Sequence, residues 1–131
     1  CERRGSSGSG GAGDAGELAL TADGREINAY VRIAEDGRVL LSIPKSEMGQ
    51  GVLTSLAMLV AEELEVDWAQ VRSEHPIADV DRYGKWSTGG SSSVRANFDA
   101  YRRAGATARE LLVAAACERW GVPRSECRAE N

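Results

Sequence analysis

Aromatic residues make up only 5% of this 131-residue chain, with a single phenylalanine. Any core must therefore be aliphatic and alanine-rich. Histidine is nearly absent. His75 is the one copy, and with no cysteine or second histidine near it, it does not read as a metal ligand, because such sites need several convergent donors. The three cysteines, Cys1, Cys117 and Cys127, match no zinc or iron–sulfur spacing. Their number is odd, so at least one has no partner within the chain. Cys117 falls on an alanine-rich helical face and reads as a small core residue, whereas Cys1 and Cys127 are free or paired. The redox compartment stays open. No apolar run approaches the roughly 20 residues that span a bilayer. Excess positive charge is missing as well, and a formal net charge of −4 gives no electrostatic case for nucleic acid.

What is present is an ordinary globular balance, 42% hydrophobic and 27% charged, enough for one domain at most or part of a larger one. Residues 1–25 are rich in Gly, Ser and Ala and read as a flexible tail, linker or tag remnant, without the apolar segment of a signal peptide. From residue 26 the pattern changes. Ile27, Ala29, Val31 and Ile33 alternate with polar residues and predict a strand over 27–33. Asp36-Gly37 signals a hairpin turn. A return strand follows over 39–43, stopped by Pro44.

Val52, Leu53, Leu56, Leu59, Val60 and Leu64 then lie at helical spacing. Glu62, Glu63 and Glu65 crowd the carboxyl end of that helix, an unfavourable place for negative charge, so they should face solvent or a partner. A third strand is expected over 70–74, parallel to the second through a helical crossover. Residues 75–87 show no period and read as a long loop. The longest helix follows. Val94, Phe98, Tyr101, Gly105, Ala108, Leu112 and Ala115 form its apolar stripe, with small residues that let a neighbour approach. Gly121 stands at its end and Pro123 just beyond. Together these elements predict an α+β fold, a small two-layer β-β-α-β-α module spanning 26–131. The apolar faces of both helices would need a partner for full cover.

Two glycine turns each open a helix. In the first, Gly49 and Gly51 flank Gln50 where a strand hands over to a helix. Either they solve a backbone problem, or the helix amino end makes an anion or cofactor cradle. The second turn is Gly89-Gly90-Ser91-Ser92-Ser93. Consecutive N–H groups and serine hydroxyls suit a phosphate, and the alternative is one serine N-cap in a solvated loop. In a compact module both turns could face one ligand. Met48 reads as packing, and Glu47 as a possible acid or base without a paired carboxylate. No complete catalytic set is visible.

Over residues 27–131 the chain resembles the molybdopterin-binding large subunit of the xanthine dehydrogenase/aldehyde oxidase family, isoquinoline 1-oxidoreductase β-subunit type. The resemblance rests on Lys45-Ser46-Glu47-Met48-Gly49-Gln50-Gly51-Val52, Ala61-Glu62-Glu63-Leu64, Thr88-Gly89-Gly90-Ser91-Ser92-Ser93-Val94-Arg95, Ala108-Arg109 and Trp120-Gly121-Val122. It implies that the module is part of a larger molybdenum-cofactor-binding domain. By resemblance, Met48, Gly49, Gln50 and Gly51 would line the pterin dinucleotide, and Gly90, Ser91, Ser92 and Ser93 would contact phosphate or pterin oxygens. The implied cofactor is molybdopterin cytosine dinucleotide with molybdenum, with iron–sulfur clusters on a partner subunit. The implied reaction is hydroxylation of a small aldehyde or N-heterocycle with water as oxygen source.

The family's catalytic glutamate lies near the far end of the large subunit, outside the stretch matched by this chain. No catalytic residue and no metal ligand is therefore assigned here. The chain is expected to act only with the remainder of the molybdopterin-binding subunit, as an N-terminal fragment or split subunit. The competing expectation is an interaction module that keeps the fold without the cofactor. Relatives of this type are often exported with cofactor loaded. This implies a periplasmic location or one on the periplasmic side of a membrane, with the cytoplasm as alternative.

Overall fold

A computed structural model describes residues 25–131, so the tail expected over 1–25 lies outside the described residues up to position 24. Four strands form one sheet in the order β1-β2-β3-β4: β1 (Arg25–Glu26), β2 (Val31–Ile33), β3 (Val39–Ser42) and β4 (Val71–Glu74). The first two pairings are antiparallel and β3–β4 is parallel, as expected for strands joined by a helix. Between the strands and after them lie α1 (Val52–Leu64), a short α2 (Val80–Tyr83) and the long α3 (Ser93–Trp120). The α+β character and the two layers agree with the sequence reading.

The hairpin between β2 and β3 turns where Asp-Gly predicted it. Gly37 takes φ 86°, and the Asp36 carboxylate accepts from the Arg38 backbone N–H at 3.1 Å. Of the strand expected over 27–33 only 31–33 forms; residues 27–30 are a bend that separates it from β1. Asn28 is the reason. Its side-chain oxygen accepts from the backbone N–H groups of Tyr30 (3.0 Å) and Val31 (3.1 Å), a local bond that competes with the ladder. Its amide nitrogen donates to the Ala104 carbonyl at 3.1 Å and so pins the bend to α3. The alternation of Ile27, Ala29 and Val31 had hidden this. The loop expected over 75–87 contains α2, whose amino end is capped by the Asp79 carboxylate on Arg82 N–H at 3.0 Å.

One face of the sheet is covered by both long helices. Val31, Val39, Leu41, Ile43 and Val71 meet Val52, Leu56, Val60 and Leu64 of α1, with Tyr101 and Ala108 from α3. On the opposite face the register sets Leu40 between Arg32 and Arg72, whose aliphatic stems can shield it.

The stripe expected along α3 is buried only at Tyr101, Gly105 and Ala108, joined by Ala104, Val113 and Cys117; Val94, Phe98, Leu112 and Ala115 are exposed. Of the acids at the end of α1, Glu63 pairs with Arg102 on α3. Tyr101 is 1% exposed and packs against Tyr30 with the rings tilted by 37° and their centroids 4.8 Å apart; burial pushes its phenol far above the ordinary range. Its hydroxyl finds no partner among the described residues. Cys117 is core, as expected, and Cys127 is also a buried thiol; neither is in a disulfide. Cys1 lies outside the described residues.

The helix pair depends on one glycine. A Cβ on Gly105 would lie 2.5 Å from the Val60 carbonyl oxygen and 3.0 Å from the Glu63 Cβ. Backbone cannot yield as a flexible side chain can, so Gly105→Ala must push α1 and α3 apart. We expect a loss of about 2 kcal/mol or more in unfolding free energy, read by denaturant titration. A neutral Gly105→Ala would show that the helices are not held this close.

Candidate cofactor-binding site

The carboxyl ends of two parallel strands lie at the same edge of a sheet. Here β3 runs out into residues 43–51 and then α1, and β4 runs out into residues 75–92 and then α3. Both glycine turns are thus delivered to one end of the module, where open sheets of this kind place their ligands. Two hydrogen bonds tie them together. The Ser46 N–H donates to Thr88 Oγ1 at 2.9 Å, and Lys45 Nζ donates to the Ser87 carbonyl at 3.1 Å. The convergence expected of the two turns is therefore present. Lys45, Ser46 and Thr88 produce it; the sequence offered them only as parts of the matching motifs, without this linking role.

The first turn is internally complete. Glu47 Oε1 accepts from Gly49 N–H (2.8 Å) and Gly51 N–H (2.9 Å), and Oε2 accepts from Leu53 N–H (3.0 Å). Gln50 folds back over the same turn. Its Oε1 accepts from Met48 N–H at 2.6 Å and its Nε2 donates to the Ser46 carbonyl at 2.8 Å. Gly49 (φ 92°) and Gly51 (φ 80°) take left-handed conformations that a side chain would resist. The amino end of α1 already holds an anion, the chain's own Glu47. The anion cradle considered for this turn is filled from within. Bonds to the Leu53 and Gly51 amides, with a smaller contribution from Gly49, hold the Glu47 carboxyl below the usual carboxylate range against desolvation. Glu47 is thus a structural carboxylate and a poor proton donor. Met48 is 70% exposed, so it does not pack within this chain as the sequence suggested.

The second turn is open. Gly90 (φ 61°) and Ser91 (φ 52°) are both left-handed, and a non-glycine residue there is uncommon. Ser92 stands at the N-cap of α3 without capping it. Its N–H (3.3 Å) and Oγ (2.8 Å) both donate backward to the Gly89 carbonyl. The Ser93 carbonyl accepts from Asn97 Nδ2 at 2.7 Å. No protein acceptor meets the amides of Ser93, Val94 and Arg95 among the described residues. The amino end of a 28-residue helix thus points unpaired donors and the positive end of its dipole at solvent. Cβ positions built at Gly89 and Gly90 meet nothing within 4 Å, so the approach is clear.

Elsewhere a cavity of about 730 Å3 opens beside Arg32, Glu74, His75 and Tyr83. None of the eight candidate residues lines it. His75 Nδ1 lies 3.4 Å from the Ile43 carbonyl. Among the described residues no group of three or more His, Cys, Asp or Glu side chains could hold a metal ion.

The Glu47 tie has a pH signature. Its carboxyl is depressed in the folded chain, so its contribution is fully present above the ordinary glutamate value of about 4.3 and is lost as pH falls toward the lower folded value. The amides of Gly49, Gly51 and Leu53 should lose exchange protection over that interval, and Glu47→Gln should remove the pH dependence. If the three amides were as well protected in Glu47→Gln as in the unsubstituted chain at neutral pH, the assignment would be refuted.

A profile described as the molybdopterin cofactor-binding domain matches residues 6–131. The chain is 39% identical over 110 residues to the beta chain of isoquinoline 1-oxidoreductase from Brevundimonas diminuta, covering 79% of this chain and 14% of that protein. It is 36% identical over 112 residues to the membrane-bound aldehyde dehydrogenase [pyrroloquinoline-quinone] of Gluconacetobacter polyoxogenes, covering 85% of this chain and 14% of that one. It is 32% identical over 112 residues to a nicotinate dehydrogenase subunit from Pseudomonas putida, covering 85% of this chain and 9% of that one. The chain thus spans about a seventh or less of these relatives' length. With a match this extensive across its own length, the chain belongs to the molybdopterin cofactor-binding domain family.

Proposed function

We propose that this chain is the segment of a molybdenum hydroxylase that grips the pterin dinucleotide, and that it supplies no catalytic base. The unpaired amides at the amino end of α3 support this reading, standing beside the Gly90–Ser93 loop and bonded through Thr88 to the first turn. Amides at a helix start together with serine hydroxyls suit a phosphate or other anionic oxygen. Gly90, Ser91, Ser92 and Ser93 bind and orient that group. Exposed Met48 covers the flatter organic part, on a turn that Glu47, Gly49, Gln50 and Gly51 hold rigid. These residues meet pterin and phosphate oxygens; the metal takes its ligands elsewhere. When bound, the cofactor supplies the two-electron redox chemistry. Glu47, engaged by three amides, is not available as a base.

The remaining features of the reading follow from the family resemblance. The dinucleotide is the cytosine form, and an iron–sulfur partner subunit removes the electrons. The remainder of the molybdopterin-binding subunit completes the pocket, and the substrate is a small aldehyde or N-heterocycle. Two relatives are named as subunits and their names cover an isoquinoline and nicotinate, while a third is a membrane-bound aldehyde dehydrogenase. The place of work in this reading is the periplasmic side of a membrane, as the resemblance implied; that last name says membrane-bound and no more. No helix among the described residues is long and apolar enough to cross one.

The test is metal and cofactor analysis of the assembled native protein and of its Gly90→Val variant, with folding checked by circular dichroism. Molybdenum and pterin should be near one per protein, and both should fall together in the variant. A drop of roughly tenfold or more corresponds to one lost charge-assisted hydrogen bond. Full occupancy in the variant would remove the loop from the site. A quinone with no molybdenum would sink the molybdenum reading altogether, and an assembly with neither would favour the interaction module.

A further inference from the structure

The carboxyl end of α3 is a second organised place, far from the glycine turns. Cys117 is 24 residues beyond Ser93, about 36 Å along the helix. There the chain reverses through Gly121 (φ 66°). The Gly121 N–H donates to Glu118 O (3.3 Å) and the Val122 N–H to Cys117 O (3.1 Å), a Schellman end. Residues 121–127 fold back along the helix. Arg124 holds them with two bonds, to the Cys127 carbonyl (2.7 Å) and to Glu110 Oε2 on α3 (2.9 Å). The return brings Cys127 against Cys117. The two buried thiols form a small cluster of their own with Val113, flanked by Val122 and Ala129. Nothing in the cofactor site uses them, and neither is in a disulfide.

Two buried thiols side by side, ten residues apart on a chain reversal, are poised for more than packing. We propose that Cys117 and Cys127 form a reversible disulfide, a redox-sensitive clasp that locks residues 121–127 onto the end of α3. Thiols packed in one buried cluster, on a return that Arg124 fixes to α3, can reach a sulfur–sulfur bond of about 2.05 Å by turning their side-chain torsions. The oxidant is a low-molecular-weight disulfide. One cysteine thiolate attacks it, forming a mixed disulfide and expelling one thiol. The second cysteine attacks the protein sulfur of that bond and expels the other thiol. The protein loses two electrons and two protons, and the small disulfide gains them. Contact with Cys117, and burial after it, hold the Cys127 thiol above its ordinary range. Thiolate is therefore scarce at neutral pH and exchange is slow.

The native protein that contains this chain is equilibrated without oxygen in mixtures of reduced and oxidised glutathione. It is then quenched with an alkylating agent and mapped by peptide mass spectrometry. The expected product is a Cys117–Cys127 cross-linked peptide two hydrogens lighter than the dithiol, with both thiols losing alkylation together as the mixture becomes oxidising. Trypsin cleavage after Arg124 should then leave two pieces that separate only on reduction. Cys127→Ala should abolish the cross-link while Cys117 stays alkylatable after unfolding. Two thiols still fully alkylatable at the most oxidising ratio would overturn the clasp. So would bonds from either thiol to Cys1, or a glutathione adduct that never closes.

Discussion

The parallel pairing of β3 with β4 is the constraint from which the rest follows. Parallel strands cannot be joined by a tight turn, so the chain must cross over, and α1 is that crossover. The crossover puts a helix on one face of a four-stranded sheet, and α3 can bury its own apolar residues only by lying against both. It also sets the exits of β3 and β4 at one edge. The two glycine turns need no further device to meet beyond the bonds from Ser46 to Thr88 and from Lys45 to Ser87. The site is a consequence of strand direction before it is a consequence of any motif.

The two turns look alike in sequence and have opposite electrostatic fates. Both precede a helix, and both hold left-handed glycines. In the first, a glutamate four residues before the N-cap swings under the turn and takes the amides that a ligand might have used. In the second, no acidic residue lies within reach along the chain. Ser92 turns its hydroxyl back to Gly89, and the α3 amides stay open. One turn is a rigid platform and the other is the gripping end. The difference is a single side chain, Glu47, and its charge is satisfied inside the fold.

Much of this was legible in the residues. The bounds of α1 followed from its apolar spacing, the hairpin from Asp36-Gly37 and the end of α3 from Gly121. Asn28 broke the first strand because a short polar side chain bonds its own backbone, a local effect that an alternation of apolar neighbours conceals. The α2 turn is four residues long, too short for any period to reveal. At the site, the two glycine turns were legible as candidate cradles, but the pterin roles of the eight candidate residues came from resemblance. Glu47 was visible only as a possible acid, because which amides it would meet depends on how far the turn folds back.

The stripe on α3 was read as continuous, and its partial burial has a geometric cause. Spacings of four and three repeat about every 3.5 residues, but a straight helix turns about every 3.6, so such a stripe drifts by about 20° per heptad. Helix α1 has 13 residues and α3 has 28, roughly 20 Å against 42 Å. The shorter helix can cover only the middle of the longer one, where Tyr101, Gly105 and Ala108 are buried and Gly105 lets the backbones close. Both ends of α3 project past that contact. The amino end keeps its amides open, in the loop that Ser87 and Thr88 tie to the other glycine turn. The carboxyl end must bury its apolar residues some other way, and the chain does so by reversing at Gly121 and laying Cys127 over Val113 and Cys117. The ligand-gripping end and the thiol cluster are therefore two answers to one mismatch in helix length.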